Sequence, residues 1–283
     1  MKISRPIWGR HMETIELPPT TPRLITAGCS FATKPFDSIK YRNAFDDIGA
    51  ISWTEHLANK TDRVLIDWAK IGSGCGYAHR VIIDSVLENL GSDMIVVVGW
   101  SSIGRWETFA DSEGNFLQIM LSDMRESNEV NIHKFYDLKE YKQHAINYTF
   151  FQDHLEKLNY IISLGGFLES LNVKYLFFNA FEPLDGWKRG SAYYSRSETG
   201  EDSKLLQRAT DYIKNNLNWL DKIQIELGAK DGYYQDIIHG NFNNPGPDPK
   251  RKKEEYFLDG WHPSPLANEE WSEILYNEIC NRY

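Results

Sequence analysis

Met94-Ile95-Val96-Val97-Val98-Gly99-Trp100-Ser101-Ser102 is the most sharply patterned stretch of this chain of 283 residues. An unbroken β-branched run of this kind suits a strand covered on both faces, as strands of a parallel sheet are. The same design recurs on either side. Arg23 to Ala27 is an apolar run that breaks at Gly28, Val64-Leu65-Ile66 leads into the loop around Gly72, and Lys174 to Phe178 reads as a fourth strand. Helical spacing fills the intervals, over residues 48–59, 77–90, 151–171 (ending near Asn172), 202–220 and 263–282. Strands alternating with helices imply right-handed βαβ units and a parallel sheet. In open sheets of this class, ligands bind outside the carboxyl ends of the strands. The turns at Gly28, Gly72 and Gly99 all fall at such ends, so they are expected to converge on one site.

Length and composition bound what that site serves. With 41% hydrophobic and 13% aromatic residues, the chain can bury one large core. Residues 23–283 read as a single domain. Residues 1–22, with Pro6, Pro18, Pro19 and Pro22, read as an irregular arm. Two insertions are expected, at about 104–148, aromatic and charged with some helix, and at about 228–256, irregular around Asn243-Asn244-Pro245-Gly246-Pro247. No apolar run reaches the roughly 18 residues of a membrane span, and no signal core follows Met1 to Arg5, so a soluble, cytoplasmic chain is expected. Thirty-one basic against 40 acidic residues, a net charge of −9, argue against general affinity for nucleic acid or an anionic membrane. The one basic run, Lys250-Arg251-Lys252-Lys253, is met at once by Glu254 and Glu255 and reads as a solvated loop. Cys29, Cys75 and Cys280 have no metal spacing and fit a reducing compartment. His11, His56, His79, His133, His144, His154 and His239 form no metal-type grouping and read as surface or core residues, so no metal is expected.

Asp259-Gly260-Trp261-His262-Pro263 carries the sharpest chemistry. A His with a carboxylate held close is what a hydroxyl nucleophile needs as general base. The matching nucleophile stands at the other end of the chain, as Ser30 in Gly28-Cys29-Ser30-Phe31, where the first strand ends. Cys29 is a neighbouring candidate, but alternation along an extended segment turns it into the core. Taken singly, each residue also has a structural use: Ser30 as a turn or cap residue, Asp259 in an Asx turn, His262 bracing the last helix. The Gly72-Ser73-Gly74-Cys75-Gly76 loop is not a dinucleotide fingerprint, and no Walker lysine follows it. Gly99-Trp100-Ser101-Ser102-Ile103-Gly104 imitates the nucleophile elbow of α/β-hydrolases with its second glycine one residue too far, an alternative that would make Ser101 the nucleophile. Arg105 and Glu107 read as an ion pair bracing the site, with substrate contacts as the alternative.

In their order and places, the Gly28-Cys29-Ser30-Phe31 turn, the Gly72 loop, the Gly99 turn and Asp259-Gly260-Trp261-His262 resemble the four signature blocks of the SGNH (GDSL-type) hydrolases. The first and last blocks are the specific ones. The resemblance implies a flavodoxin-like α/β/α sandwich with a parallel sheet of about five strands and no cofactor. It implies acyl-ester hydrolysis through a covalent acyl-enzyme, with Ser30 as nucleophile, His262 as base and Asp259 orienting it. The oxyanion hole would use the backbone N–H groups of Ser30 and Gly72, with a third donor from the Gly99 block. Two positions depart from the pattern. Cys29 replaces the usual Asp of the first block, and Ser101 replaces the Asn whose amide is the usual third donor. Gly99 to Glu107 is similar to SGNH-like proteins of tailed phages, which adds a virion-associated setting to the cytoplasmic one.

The substrate expected is a small-molecule or glycan acyl ester, an O-acetyl or other short acyl group on a carbohydrate, because Trp106, Phe109, Trp187, Tyr193, Tyr194, Tyr233, Tyr234 and Phe242 offer planar faces for sugar rings. An O-acyltransferase of the same mechanism and a non-catalytic carbohydrate-binding or structural module on the same fold are the alternatives.

Overall fold

The structure is a computed structural model that describes residues 18, 20–29, 32, 51–70, 73–101, 105–109, 116–120, 150–181, 184–185, 201–224, 227 and 263–283. Within them, five strands form one parallel sheet: β1 (Arg23–Ala27), β2 (Val64–Asp67), β3 (Met94–Trp100), β6 (Lys174–Asn179) and β7 (Trp219–Ile223). Their order is β2-β1-β3-β6-β7. A separate antiparallel pair, β4 (Arg105–Phe109) with β5 (Phe116–Met120), leaves β3 by its carboxyl end. The helices are α1 (Trp53–Lys60), α2 (Cys75–Glu88), α3 (Phe150–Ser170), α4 (Glu201–Asn216) and α5 (Pro265–Arg282). The sheet has the 2-1-3-4-5 order and the two-sided helical cover of a flavodoxin-like fold.

Alternation along the strands divides the core in two. Ile25, Ala27, Val96, Val98, Trp100, Tyr175 and Phe177 face α2, α3 and α4, through Cys75, Ala78, Ile82, Leu158, Ile161, Leu164, Leu206 and Ile213. Leu24, Leu65, Ile95, Val97, Leu176 and Phe178 face α1 and α5, through Trp53, Leu57, Trp271, Leu275 and Ile279. With β-branched residues buried toward both faces, β1 and β3 are what a central parallel strand requires.

Local signals set the helix ends. Ser52 and Glu55 cap α1 reciprocally: the Glu55 N–H donates to Ser52 Oγ at 3.4 Å and the Ser52 N–H to Glu55 Oε2 at 2.9 Å. Ser264 caps α5 ahead of Pro265 in its first turn. Asn172, at φ 53°, stops α3 in the left-handed conformation that an amide side chain tolerates.

Two sequence expectations change. Residues 202–220 read as one helix, yet α4 ends at Asn216 and Trp219 and Leu220 open β7. The two-residue connection of Leu217 and Asn218 is too short to show as a break in periodicity. The insertion at 104–148 was expected to carry some helix, whereas its described part is the β4–β5 pair.

The two helices on one face also fix direction. The Trp53 N–H donates to Asn268 Oδ1 at 3.2 Å, near the start of both α1 and α5, and Lys60 meets Glu273 at 2.6 Å further along both. At the far end of α5, the Tyr283 hydroxyl accepts from the Tyr175 N–H and donates to its carbonyl, both at 3.0 Å, near the start of β6. The amino end of α5 therefore stands at the carboxyl edge of the sheet.

Phe178 is the packing centre of that face, edge-on to Trp53 at 5.5 Å and to Trp271 at 5.1 Å between ring centroids. Phe178→Ala is expected to cost about 3–5 kcal/mol of unfolding free energy, read by denaturant titration.

Candidate active site

The strand order reverses between β1 and β3, and ligands in this class of sheet bind at that switch point. Register puts Ala27 beside Val98 there, so the chain leaves both strands at one level, through Gly28 and Cys29 on one side and Trp100 and Ser101 on the other. Gly28 has no room for a side chain. A Cβ on it would lie 2.8 Å from Ala32 Cβ and 3.4 Å from the Gly99 carbonyl oxygen. The Ala32 N–H donates to the Cys29 carbonyl at 2.9 Å, closing the turn that follows β1.

Hydrogen bonds tie this turn to the loop before α2. The Gly28 carbonyl accepts from the Lys70 N–H at 3.0 Å and from Ser73 Oγ at 2.8 Å. The Cys75 thiol, in the first turn of α2, donates to the Ser101 carbonyl at 3.5 Å. The Ala180 N–H donates to the Trp100 carbonyl at 2.9 Å and carries the β3–β6 ladder to its end. At the end of β2, the Asp67 carboxylate accepts from Thr26 Oγ1 at 2.8 Å, Thr54 Oγ1 at 3.2 Å and the Ala69 N–H at 3.0 Å. A buried carboxylate satisfied by three donors fixes the β2 end against β1 and α1.

Ser30, Gly72, Asp259 and His262 lie outside the described residues, as do the second insertion and the run from Lys250 to Lys253. What the structure does describe is the flank of each signature block. Cys29 and Ala32 bracket the first, Ser73 follows Gly72, and Pro263 and Ser264 lead from His262 into α5. All of these belong to the carboxyl edge of the sheet. Of the expected site residues Ser101 is described, with 3% of its surface exposed and its Oγ without a partner among the described residues. Cys29 is 1% exposed and is a free thiol. That fits a residue turned into the core and not the polar orienting group of the first block.

Asn179 is the residue that the sequence reading passed over. It ends β6 opposite Trp100, is 1% exposed, and has both amide atoms unpartnered among the described residues. Asparagine after a strand reads as a turn residue, so its spacing gave no signal.

Three histidines read as surface or core residues are described. His154 is a core residue whose Nε2–H donates to the Leu184 carbonyl at 2.9 Å, which pins the segment after β6 to α3. Burial, with Lys157 adding to it, pushes its pKa down to about 3. Burial also lowers His79, which meets Ser163 Oγ at 3.0 Å, and His56. No group of three or more His, Cys, Asp or Glu that could hold a metal occurs among the described residues, and no helix among them is long and apolar enough to cross a membrane.

No protein-family model and no curated protein matches the chain. Among solved structures it is similar to a GDSL-like lipase from Bacteroides thetaiotaomicron, at 10% identity over 92% of this chain and 89% of that one, with a TM-score of 0.42. It is similar to a psychrotrophic esterase from Pseudoalteromonas sp., at 13% identity over 92% and 98%, with a TM-score of 0.43. A third is an acetylxylan esterase from Geobacillus stearothermophilus, at 11% identity over 92% and 94%, with a TM-score of 0.43.

Gly28→Ala is expected to cost about 1–3 kcal/mol through the contact with Ala32. Gly166→Ala is the control, since its Cβ would meet nothing in α3, and it should gain about 0.5–1 kcal/mol. Denaturant titration of both variants checks the pair.

His154 also sets a pH dependence. Its folded pKa lies below the unfolded value of 6.5, so the unfolded chain binds a proton that the folded one refuses. Its contribution is whole above about pH 6.5 and is lost as pH falls toward about 3. His154→Gln is expected to flatten the acid side of a stability–pH profile by up to about 1.4 kcal/mol per pH unit in that window.

Proposed function

We propose that this chain is an SGNH-type serine hydrolase that cleaves acyl esters, with Ser30 as nucleophile, His262 as general base and Asp259 orienting the imidazole. The observation that carries the reading is the gathering of the described flanks of all four blocks at the switch-point edge of the sheet. Ser30 follows Cys29 by one peptide bond, and consecutive Cα atoms stand about 3.8 Å apart. Gly72 likewise directly precedes Ser73, and His262 directly precedes Pro263.

The chemistry runs in two halves. Ser30 Oγ attacks the ester carbonyl carbon while His262 takes its proton, and the carbonyl π pair moves onto oxygen. N–H donors of Ser30 and Gly72, with Ser101 as third donor, hold that oxyanion. Collapse expels the alcohol oxygen, which leaves with the proton from His262, and Ser30 keeps the acyl group as an ester. Water, deprotonated by His262, attacks this ester in turn and releases the acid and free Ser30.

The substrate in this reading is an O-acetyl or other short acyl group on a carbohydrate, supported by the aromatic residues of the two insertions together with Trp187, Tyr193 and Tyr194. An O-acyltransferase would share the first half and admit a sugar hydroxyl in place of water. Cys29 and Ser101, the two departures from the signature, favour a non-catalytic module as the competing reading.

Hydrolysis of p-nitrophenyl acetate by wild type, Ser30→Ala, His262→Ala and Ser101→Ala separates them. Turnover by wild type is expected, with the first two variants at background and Ser101→Ala retaining measurable activity. Activity surviving in Ser30→Ala but lost in Ser101→Ala would move the nucleophile to Ser101. A folded wild type inert on acetyl esters of sugars as well would favour the module.

A further inference from the structure

A buried cation without a partner lies under the end of β6. Lys157, on α3, is 2% exposed, yet it joins no ion pair and no hydrogen bond among the described residues. Lysine is almost never buried to this degree unless paired, because an ammonium taken out of water and left uncompensated is costly. Asn179 poses the same question. It is 1% exposed, and both atoms of its amide lack partners among the described residues. Buried groups of this kind are nearly always satisfied.

Backbone geometry brings the two to nearly one level. The Val173 N–H donates to the Leu168 carbonyl at 2.9 Å, tying the last turn of α3 to the start of β6. At the other end of α3, the His154 bond to the Leu184 carbonyl ties the helix to the segment beyond β6. Between these ties, Leu158, Ile161 and Leu164 share one core with Tyr175 and Phe177. Lys157 stands about 16 Å along the helix from Leu168, and Asn179 about 20 Å along the strand from Val173. The flexible four-carbon stem of a lysine covers an offset of that size. Alternation turns Asn179 to the face of Phe177, the face that α3 covers. Lys157 adjoins Leu158 and follows His154 by one turn, and its charge adds to burial in keeping that imidazole neutral. Trp100, register partner of Asn179 and on the same face, has a buried indole N–H that is also without a partner among the described residues.

We propose that Lys157 and Asn179 form a binding site for a small monocarboxylate at the carboxyl end of β6. The site stands apart from the ester-hydrolysis reading and does not depend on it. One ammonium balances one negative charge, whereas a phosphate group would bring close to two. A carboxylate only accepts, and its two oxygens can take one N–H from the ammonium and one from the Asn179 amide. The ammonium has three N–H donors, which leaves one for Asn179 Oδ1. The Trp100 indole N–H can only donate, so it adds to the same preference. A neutral ligand would leave the buried charge uncompensated. The near-complete burial of all three side chains confines the ligand to a few heavy atoms, as in acetate.

Thermal melting of the full chain in sodium acetate against sodium chloride, at equal ionic strength and neutral pH, tests this. Wild type is expected to melt about 2–4 °C higher in acetate once acetate is well above its Kd. Lys157→Met, with Lys157→Gln as a second variant should methionine not pack, is expected to abolish that rise. In chloride it should melt no lower than wild type, since it removes an uncompensated charge. Calorimetric titration with acetate should show binding weakened about tenfold in Asn179→Leu. Equal melting of wild type in the two salts overturns the proposal. So does a rise that survives in Lys157→Met, which would be a general effect of the salt. A loss of stability in chloride shared by both Lys157 variants overturns it as well, because the ammonium would then be satisfied within the fold. Acetate binding untouched by Asn179→Leu removes the shared site.

Discussion

The Gly28 position constrains everything at the edge of the sheet. Its Cα sits where a Cβ would strike Ala32, and its carbonyl takes two donors from the next loop, the Lys70 N–H and Ser73 Oγ. One residue thus joins the turn after β1 to the loop before α2 and brings both against the end of β3. Glycine is needed there for close approach of backbone, not for an unusual φ. Any other side chain would separate segments whose chemistry depends on their being together.

The two core faces divide the work of positioning. On one, Phe178 between Trp53 and Trp271 fixes α1 and α5, and thereby the place where the chain enters α5 just after His262. On the other, the α2 and α3 packing sets the helix amino end and His154, whose bond to Leu184 holds the segment following Asn179. The rigid parts are the strands and the helix starts. The reactive groups are proposed to hang from their ends, as is usual where loops carry function on a fixed scaffold.

Most of the sheet was legible because its central strands are continuous apolar runs. Met94 to Val98 and Lys174 to Phe178 cannot be read another way without exposing several large side chains. β7 was not legible because it alternates poorly. Trp219 and Leu220 are buried, whereas Asp221 and Lys222 are exposed, as an edge strand allows. Its two apolar residues also continue the periodicity of the helix before it. At the site, glycine turns and the Ser30 and His262 blocks stood out because spacing encodes them. Asn179 did not: only the β3–β6 pairing, which sets it opposite Trp100, shows where that buried amide lies.

The central claim is that Ser30 is an activated nucleophile, and covalent labelling of the folded chain with a fluorophosphonate, mapped by peptide mass spectrometry, tests it most directly. One adduct per chain, on Ser30 and absent from His262→Ala, is the result expected from a serine activated by that base. An adduct on Ser101, or a folded chain that takes up none, would contradict it.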